Sequence, residues 1–367
     1  MRIGLALCLL LLARPAGAWE IGHSLLTITD PARPGREIPT DVYYPAAAAG
    51  ENAPLAPPPT GGFPVIAFGH GFLLPVSTYA YLWQGLVPAG RVLALPRTGG
   101  ELFPDHAEFG LDLARVAAAL IEAGQDPGSP FYGGFAARSG VGGHSMGGGA
   151  SLLAAAADPA LDCIANLAAA ETNPSAIAAA AQVEAPALLL AGSRDCVTPL
   201  DEHQQPIFDA LAGDCHALAV LGGASHCQFT GGGTVCELGE IGCPAPLIGR
   251  AEQQAQTLAL LAPWLDWQLA GLPGARDRFF AVLDSLPDLT PAVDCAPTGA
   301  AQAEPALSLR GPGGPLRESA RLLLSLPSPA TVSAAVYEVS GRLVARLAAG
   351  ALPAGEHELV WDLRAGG

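Results

Sequence analysis

The chain has 367 residues, of which 50% are hydrophobic, 14% charged and 6% aromatic, and this excludes disorder over most of its length, because disordered chains carry few apolar and many charged residues. The 18 basic residues are all Arg and stand against 34 acidic ones, a formal net charge of -16; there is little material for the basic face that neutralises phosphates, so no nucleic-acid partner is expected. At roughly 100–200 residues per domain, the length suits one large domain and a smaller unit.

The N-terminus carries Arg2, an apolar run from Ile3 to Ala13, and Ala16-Gly17-Ala18 in the small-x-small form of a cleavage site. The run is shorter than the ~20 residues a membrane span requires. Residues 1–18 therefore read as a signal peptide cleaved before Trp19, and the mature protein is expected to be secreted, in the periplasm or outside the cell, with no membrane span. Export places Cys163, Cys196, Cys215, Cys227, Cys236, Cys243 and Cys295 where disulfides persist. Their odd number leaves at least one thiol free or paired outside the chain. No CxxC pair occurs, and no metal site is expected.

Residues 46–62, rich in Ala, Pro and Gly, read as a loop between two early strands. Val65 to Phe68, Arg91 to Leu95, Val141 to His144, Cys163 to Ala169, Ala187 to Ala191 and Ala217 to Leu221 are short apolar runs that suit buried strands, the last of them closing the series. Between them, Ala107 to Ala123 repeats Phe109, Leu113, Val116 and Leu120 at helix spacing. Met146 to Ala157 and Leu200 to Leu211 also read as helices, and Glu252 to Leu269 as a closing one. Strands alternating with helices predict a mostly parallel sheet with helices on both faces, spanning 19–295. Residues 296–305 are small, polar and Pro-containing, a linker. Beyond them Arg321 to Leu326, Thr331 to Val339, Leu343 to Leu347 and His357 to Leu363 predict a small all-β sandwich module over 306–367.

Gly143-His144-Ser145-Met146-Gly147 has the GxSxG form between an apolar strand and a helix, the context in which a sharp turn lifts a serine out at the carboxyl end of a sheet. A serine nucleophile needs a base and a carboxylate that orients it. Asp195 follows the strand Leu188 to Ala191, and His226 follows Leu218 to Leu221; Ser, Asp and His thus each follow a strand's carboxyl end, where parallel sheets gather functional groups. His203, His216 and His106 fit the role of base less well, and His70 reads as a structural loop histidine. The oxyanion of a tetrahedral intermediate needs two backbone donors. The N–H of Met146 is the first, and the N–H of Phe72, in Gly69-His70-Gly71-Phe72, is the second.

Phe68-Gly69-His70-Gly71-Phe72, Gly143-His144-Ser145-Met146-Gly147-Gly148-Gly149, Gly192-Ser193-Arg194-Asp195 and Ser225-His226 resemble α/β-hydrolases of the dienelactone hydrolase superfamily, chiefly its chlorophyllase-like and polyester-hydrolase branches. The resemblance covers about residues 38–270. It implies an α/β-hydrolase fold and a serine esterase, acting on a small-molecule ester with no metal or organic cofactor. In polyester hydrolases a Trp after the strand ending near Ala169 clamps the substrate; here the stretch is Ala170-Glu171-Thr172-Asn173, which points away from polyester cleavage. A lipase or phospholipid-ester hydrolase on the same site, and a catalytically silent surface-binding protein, are the alternatives. Residues 301–367 resemble FlgD-type immunoglobulin-like modules through Ala335 to Arg342 and Leu352 to His357. The likeness implies a module lacking its final strands and a partner in export or surface-attachment machinery.

Cys196 directly follows Asp195, and Cys227 directly follows His226. Since the acid and base must approach each other, a Cys196–Cys227 disulfide is expected between their loops, with Cys236–Cys243 as a second, local bridge.

Overall fold

The computed structural model describes residues 18–295, 308–310, 319–326, 330–337, 343–352 and 355–361. The signal-peptide cleavage site and the 296–305 linker lie outside or at the edge of these residues. The chain divides into two compact units, one ending at Ala296 and the other following it.

In the first unit the strands are β1 (Glu20–Thr29), β2 (Glu37–Ala46), β3 (Gly50–Glu51), β4 (Phe63–Gly69), β5 (Val92–Pro96), β6 (Phe135–His144), β7 (Cys163–Leu167), β8 (Ala187–Gly192), β9 (Cys215–Leu221) and β10 (Leu289–Cys295). The helices are α1 (Ala80–Leu86), α2 (His106–Gln125), α3 (Met146–Ala157), α4 (Ala176–Ala180), α5 (Gln204–Ala210), α6 (Thr234–Gly239), α7 (Arg250–Gln268) and α8 (Ala275–Ser285). All ten strands form one sheet in the order β10-β9-β8-β7-β6-β4-β5-β2-β1-β3. Its centre, from β5 through β4 and β6 to β9, is parallel. Strands β1 and β2 add antiparallel at one side, and β10 at the other.

The central strands are buried on both faces, and their alternate residues feed two separate cores. Val65, Ala67, Leu189 and Ala191 join Phe109, Leu113 and Val116 of α2 on one face. Ile66, Phe68, Leu188 and Leu190 join Leu82 of α1, Trp264 and Leu265 of α7 and Phe279 of α8 on the other. Such two-sided cover is what makes parallel strands read as continuous apolar runs. Helix α2 starts where Asp105 accepts the amides of Ala107 and Glu108, a capping arrangement that satisfies two otherwise orphaned donors.

Two sequence expectations are corrected here. The strand at Ala217–Leu221 does not end the series, and the helix after residue 250 does not close the unit: α8 and β10 follow. Strand β10, LTPAVDC, is largely exposed and carries Pro291, and an edge strand can tolerate a proline that a central strand cannot. The reading for buried apolar runs passed over it for that reason.

The cysteine pairing also differs. The bonds are Cys196–Cys243, Cys227–Cys236 and Cys215–Cys295, with Cys163 free and buried. Cys196–Cys227 does not form because the two side chains leave their loops in different directions. Cys196 is exposed, at the start of a turn closed by the Asp195 carboxylate onto the amides of Val197 and Thr198. Cys227 points inward from a 3-10 turn over Cys227–Phe229. The segment from Thr234 to Cys243 comes between them and takes one partner from each, so Cys236–Cys243 does not form either. Cys215 and Cys295 sit directly opposite each other across β9 and β10. Three disulfides fit an oxidising compartment.

In the second unit, β11 (Ser308–Arg310), β12 (Ala320–Leu326) and β15 (Gly355–Trp361) form one antiparallel sheet, and β13 (Ala330–Tyr337) with β14 (Leu343–Leu352) another. Ala320, Leu322, Leu324 and Leu326 alternate along β12 as buried residues. Ala320 and Trp361 pack with Val336 and Ala345 of the other sheet.

Candidate active site

Ser145 sits between the last residue of β6 and the first of α3 with φ 56° and ψ -120°, a conformation that non-glycine residues rarely adopt and that costs on the order of 1–3 kcal/mol. Backbone bonds hold it there. Its N–H donates to Leu167 O at 3.0 Å, and its carbonyl accepts from Gly149 and Ala170. The motif glycine that follows has a steric reason. A Cβ on Gly147 would stand 2.1 Å from Gly69 O, so the Ser145 turn and the Gly69–Phe72 loop meet backbone to backbone. That contact brings Phe72 and Met146 to the wall of the same cleft as Ser145. The Met146 amide belongs to the first turn of α3, where N–H groups have no acceptor within the helix.

On the other side, Asp195 and His226 stand in the loops after β8 and β9. His226 Nδ1 lies 2.7 Å from Asp195 Oδ2, and both side chains are almost fully buried. Asp195 is held in turn: Oδ1 accepts the amides of Val197 and Thr198 at 2.8 Å, and Oδ2 accepts the Thr198 hydroxyl at 2.9 Å. Thr198 Oγ1 is also 3.2 Å from His226 Nδ1, and Thr198 lines the Ser145 cleft. The expected acid, base, nucleophile and both expected amide donors thus gather at the carboxyl end of the parallel strands. His70 is buried, its ring nitrogens 2.9 Å from the carbonyls of Gly71 and Thr98.

The two sides are joined by a buried chain. The Gly71 N–H donates to Tyr79 Oη (2.8 Å), Tyr79 Oη–H donates to His144 Nδ1 (3.0 Å), and His144 Nε2–H donates to His226 O (3.3 Å). His144 holds its proton well below the usual imidazole range, first because burial penalises the cation and then because the neighbouring His226 would repel it. A neutral ring has one donor and one acceptor, and here each has a partner.

The cleft encloses ≈ 520 Å³, within the range of small-molecule sites. Phe72, Leu102, Phe103 and Pro104 form one lip, and Glu171, Thr172 and His203 the other. A family model described as PETase, PET hydrolase-like, matches residues 115–243. The match implies an ester hydrolase. It contains Ser145, Asp195 and His226. A search of curated proteins finds no match to the chain.

Two residues of the site, Thr198 and Tyr79, escaped the sequence reading, and two more, His106 and His203, were weighed only as bases. Thr198, Tyr79, His106 and His203 carry no local motif. His203 Nδ1 accepts the Glu171 amide at 2.8 Å, and His106 Nδ1 lies 3.1 Å from the Asn173 carbonyl oxygen and 3.3 Å from the Asn173 amide nitrogen. The two imidazoles thereby anchor the 171–173 loop, which includes the cis Asn173–Pro174 bond at its end. Partial burial lowers the proton affinity of His203, which suits its acceptor role.

Proposed function

We propose that the protein is a secreted serine hydrolase that cleaves carboxylic esters through an acyl-enzyme on Ser145. The observation that carries the reading is the 2.7 Å pairing of His226 Nδ1 with the buried Asp195 carboxylate, beside the cleft that holds the strained Ser145 turn. With its Nδ1–H donated to Asp195, His226 keeps the Nε2 lone pair for the Ser145 hydroxyl proton. Ser145 Oγ attacks the ester carbonyl carbon, and the N–H groups of Phe72 and Met146 receive the oxyanion, whose charge such fixed donors stabilise more than they do the ground state. Collapse of the intermediate expels the alcohol, which takes the proton from His226 Nε2. Water then repeats the sequence and frees the acid.

Only α4 and short loops separate β7 from β8, which supports an uncapped cleft that takes accessible esters. The 170–173 loop brings no aromatic ring to it, and this favours aliphatic esters over aromatic polyesters. The second unit, in this reading, is an FlgD-type immunoglobulin-like module that meets export or surface-attachment machinery. A serine-directed fluorophosphonate followed by mass spectrometry tests the catalytic assignment. The adduct is expected on Ser145 and absent from Ser145→Ala; ester hydrolysis that survives with no adduct on Ser145 overturns it.

A further inference from the structure

Two polar atoms in the wall of the cleft have no part in the chemistry at Ser145. They belong to Glu171 and His203, which line the cleft together with Ser145. The segment is fixed to the Ser145 turn: the Ala170 N–H donates to Ser145 O at 2.9 Å, and a Cβ on Gly149, in the first turn of α3, would collide with Ala170 O and the Thr172 side chain. The Glu171 carboxylate spends one oxygen on the fold, Oε2 accepting the Ile177 amide at 2.8 Å. The other, Oε1, has no partner among the described residues and is not sealed from solvent. The His203 ring is held in one tautomer. The Glu171 N–H can only donate, so the Nδ1 it meets at 2.8 Å is the acceptor, and the neutral ring carries its proton on Nε2. Burial lowers the proton affinity of that ring, and the carboxylates of Glu202, Asp195 and Glu171 are near enough to oppose the effect. His203 Nε2–H also has no partner among the described residues and is not sealed from solvent. An oxygen that only accepts and an N–H that only donates thus stand together in one wall.

We infer that Glu171 and His203 form a hydroxyl subsite in the Ser145 cleft, and that the substrates are small esters with a free hydroxyl near the scissile bond, either esters of a hydroxy acid or partial esters of a polyol. The inference rests on the ester-hydrolase reading above and gives it a substrate class. The donor and acceptor roles select the group. A hydroxyl accepts from His203 Nε2–H and donates to Glu171 Oε1 through one oxygen. A methyl does neither, a carboxylate is repelled by Glu171, and an ammonium cannot accept from His203. The hydrocarbon part of the same substrate then lies against Leu102, Phe103 and Pro104 on the other lip. A hydrogen bond to an ionised acceptor is stronger than one between neutral groups. Because both atoms stay open to solvent, the gain is an exchange with water, and the expected preference is about tenfold rather than the far larger ratio of an enclosed site.

The test uses the full chain and two pairs of esters in which a methyl replaces the hydroxyl: ethylene glycol monobutyrate against propyl butyrate, and methyl β-hydroxybutyrate against methyl isovalerate. Each kcat/KM is divided by the ester's hydroxide-catalysed rate constant, which removes differences in intrinsic reactivity. Wild type is expected to favour the hydroxylated member of at least one pair about tenfold. Glu171→Gln keeps an oxygen for the Ile177 amide and presents an NH2 group in place of Oε1. His203→Asn puts an oxygen where Nδ1 stood and leaves nothing at Nε2. Each variant is expected to bring that ratio to within twofold of one. Wild-type ratios near one in both pairs overturn the proposal, whether or not the variants fold. So does a variant that keeps the wild-type ratio. So does a preference for butyrylcholine over its neutral isostere, dimethylbutyl butyrate, that exceeds the hydroxyl preference, since Glu171 would then serve a cation. Failure of the underlying reading is distinct: wild type would cleave no member of either pair, and Ser145 would take no phosphonate.

Discussion

The Ser145 side and the Asp195–His226 side of the cleft are held by different physics. Around Ser145 the restraints are steric and buried: Gly147 lies against Gly69, and Tyr79 ties the Gly71 amide to His144. Among the described residues no disulfide touches that side. Asp195 and His226 are each followed at once by a half-cystine, and both bonds run to the Thr234–Cys243 excursion. A turn pinned between two central strands inherits the rigidity of the core. The loop after β9 is itself buried from Gly223 to Thr230 and the loop after β8 only partly so, and both add covalent ties to a shared segment. The expected Cys196–Cys227 staple does not form; each of the two loops is bonded to the Thr234–Cys243 excursion instead.

Ser145→Ala makes the largest break. It should lower turnover by roughly 10⁴–10⁶, leaving what the oxyanion donors and binding provide, while far-ultraviolet circular dichroism and melting stay at wild-type values. Activity within tenfold of wild type would remove Ser145 from the mechanism.

The Asp195–His226 side is broken by Cys196→Ser/Cys243→Ser. Its bond closes a separation of 47 residues and Cys227–Cys236 one of 9. Chain-entropy arguments assign them about 4 and about 2.6 kcal/mol respectively. Urea unfolding of the two double variants should reproduce that order. Equal losses would mean that local strain rather than loop closure sets the contribution.

How much of this was legible in the sequence follows the same division. The Ser145 turn could be read because its glycines, its apolar strand and its Ala-rich helix are contiguous, and the steric demands that select them are local. Asp195 and His226 could be read because each follows an apolar strand in a regular α/β series. The cysteine partners could not, because pairing depends on the direction in which Cys196 and Cys227 leave their turns, which backbone bonds such as Val197 N–H to Asp195 decide. His106 and His203 were set aside as poor bases and prove to hold the backbone of the 171–173 loop, a role with no sequence signal. Strand β10 was hidden by Pro291 and its exposed residues.

On the Ser145 side, Tyr79→Phe tests the buried chain. It keeps the ring and leaves the Gly71 amide and His144 Nδ1 without their partner. An orphaned buried donor costs about 1–3 kcal/mol. Because the Gly71 amide adjoins that of Phe72, the loss should appear in kcat more than in KM. An unchanged kcat together with reduced stability would make the chain purely structural.

The smallest effect expected is a slope in stability against pH, and it belongs to His144. Its folded-state proton affinity is lowered by burial and by His226, so above about pH 6.5 the ring is neutral in both folded and unfolded chains and contributes no pH dependence. Below that value the unfolded chain takes up a proton that the folded one refuses. Stability then falls with acidification by up to about 1.4 kcal/mol per pH unit for each such group. His203, also lowered, adds a slope of the same sign. The carboxylates Asp30, Asp41 and Glu122, whose proton affinities are lowered by Arg partners among other groups, begin to lose their contribution only near pH 4, so the window from pH 6.5 to 4.5 is governed mainly by the histidines. His144→Gln can accept from Tyr79 and donate to His226 O without titrating. Denaturant unfolding across that window should lose up to one proton's worth of slope in this variant. An unchanged slope would mean that His144 binds its proton alike in the folded and unfolded chains, and that the join between the two sides of the cleft is not the neutral ring described.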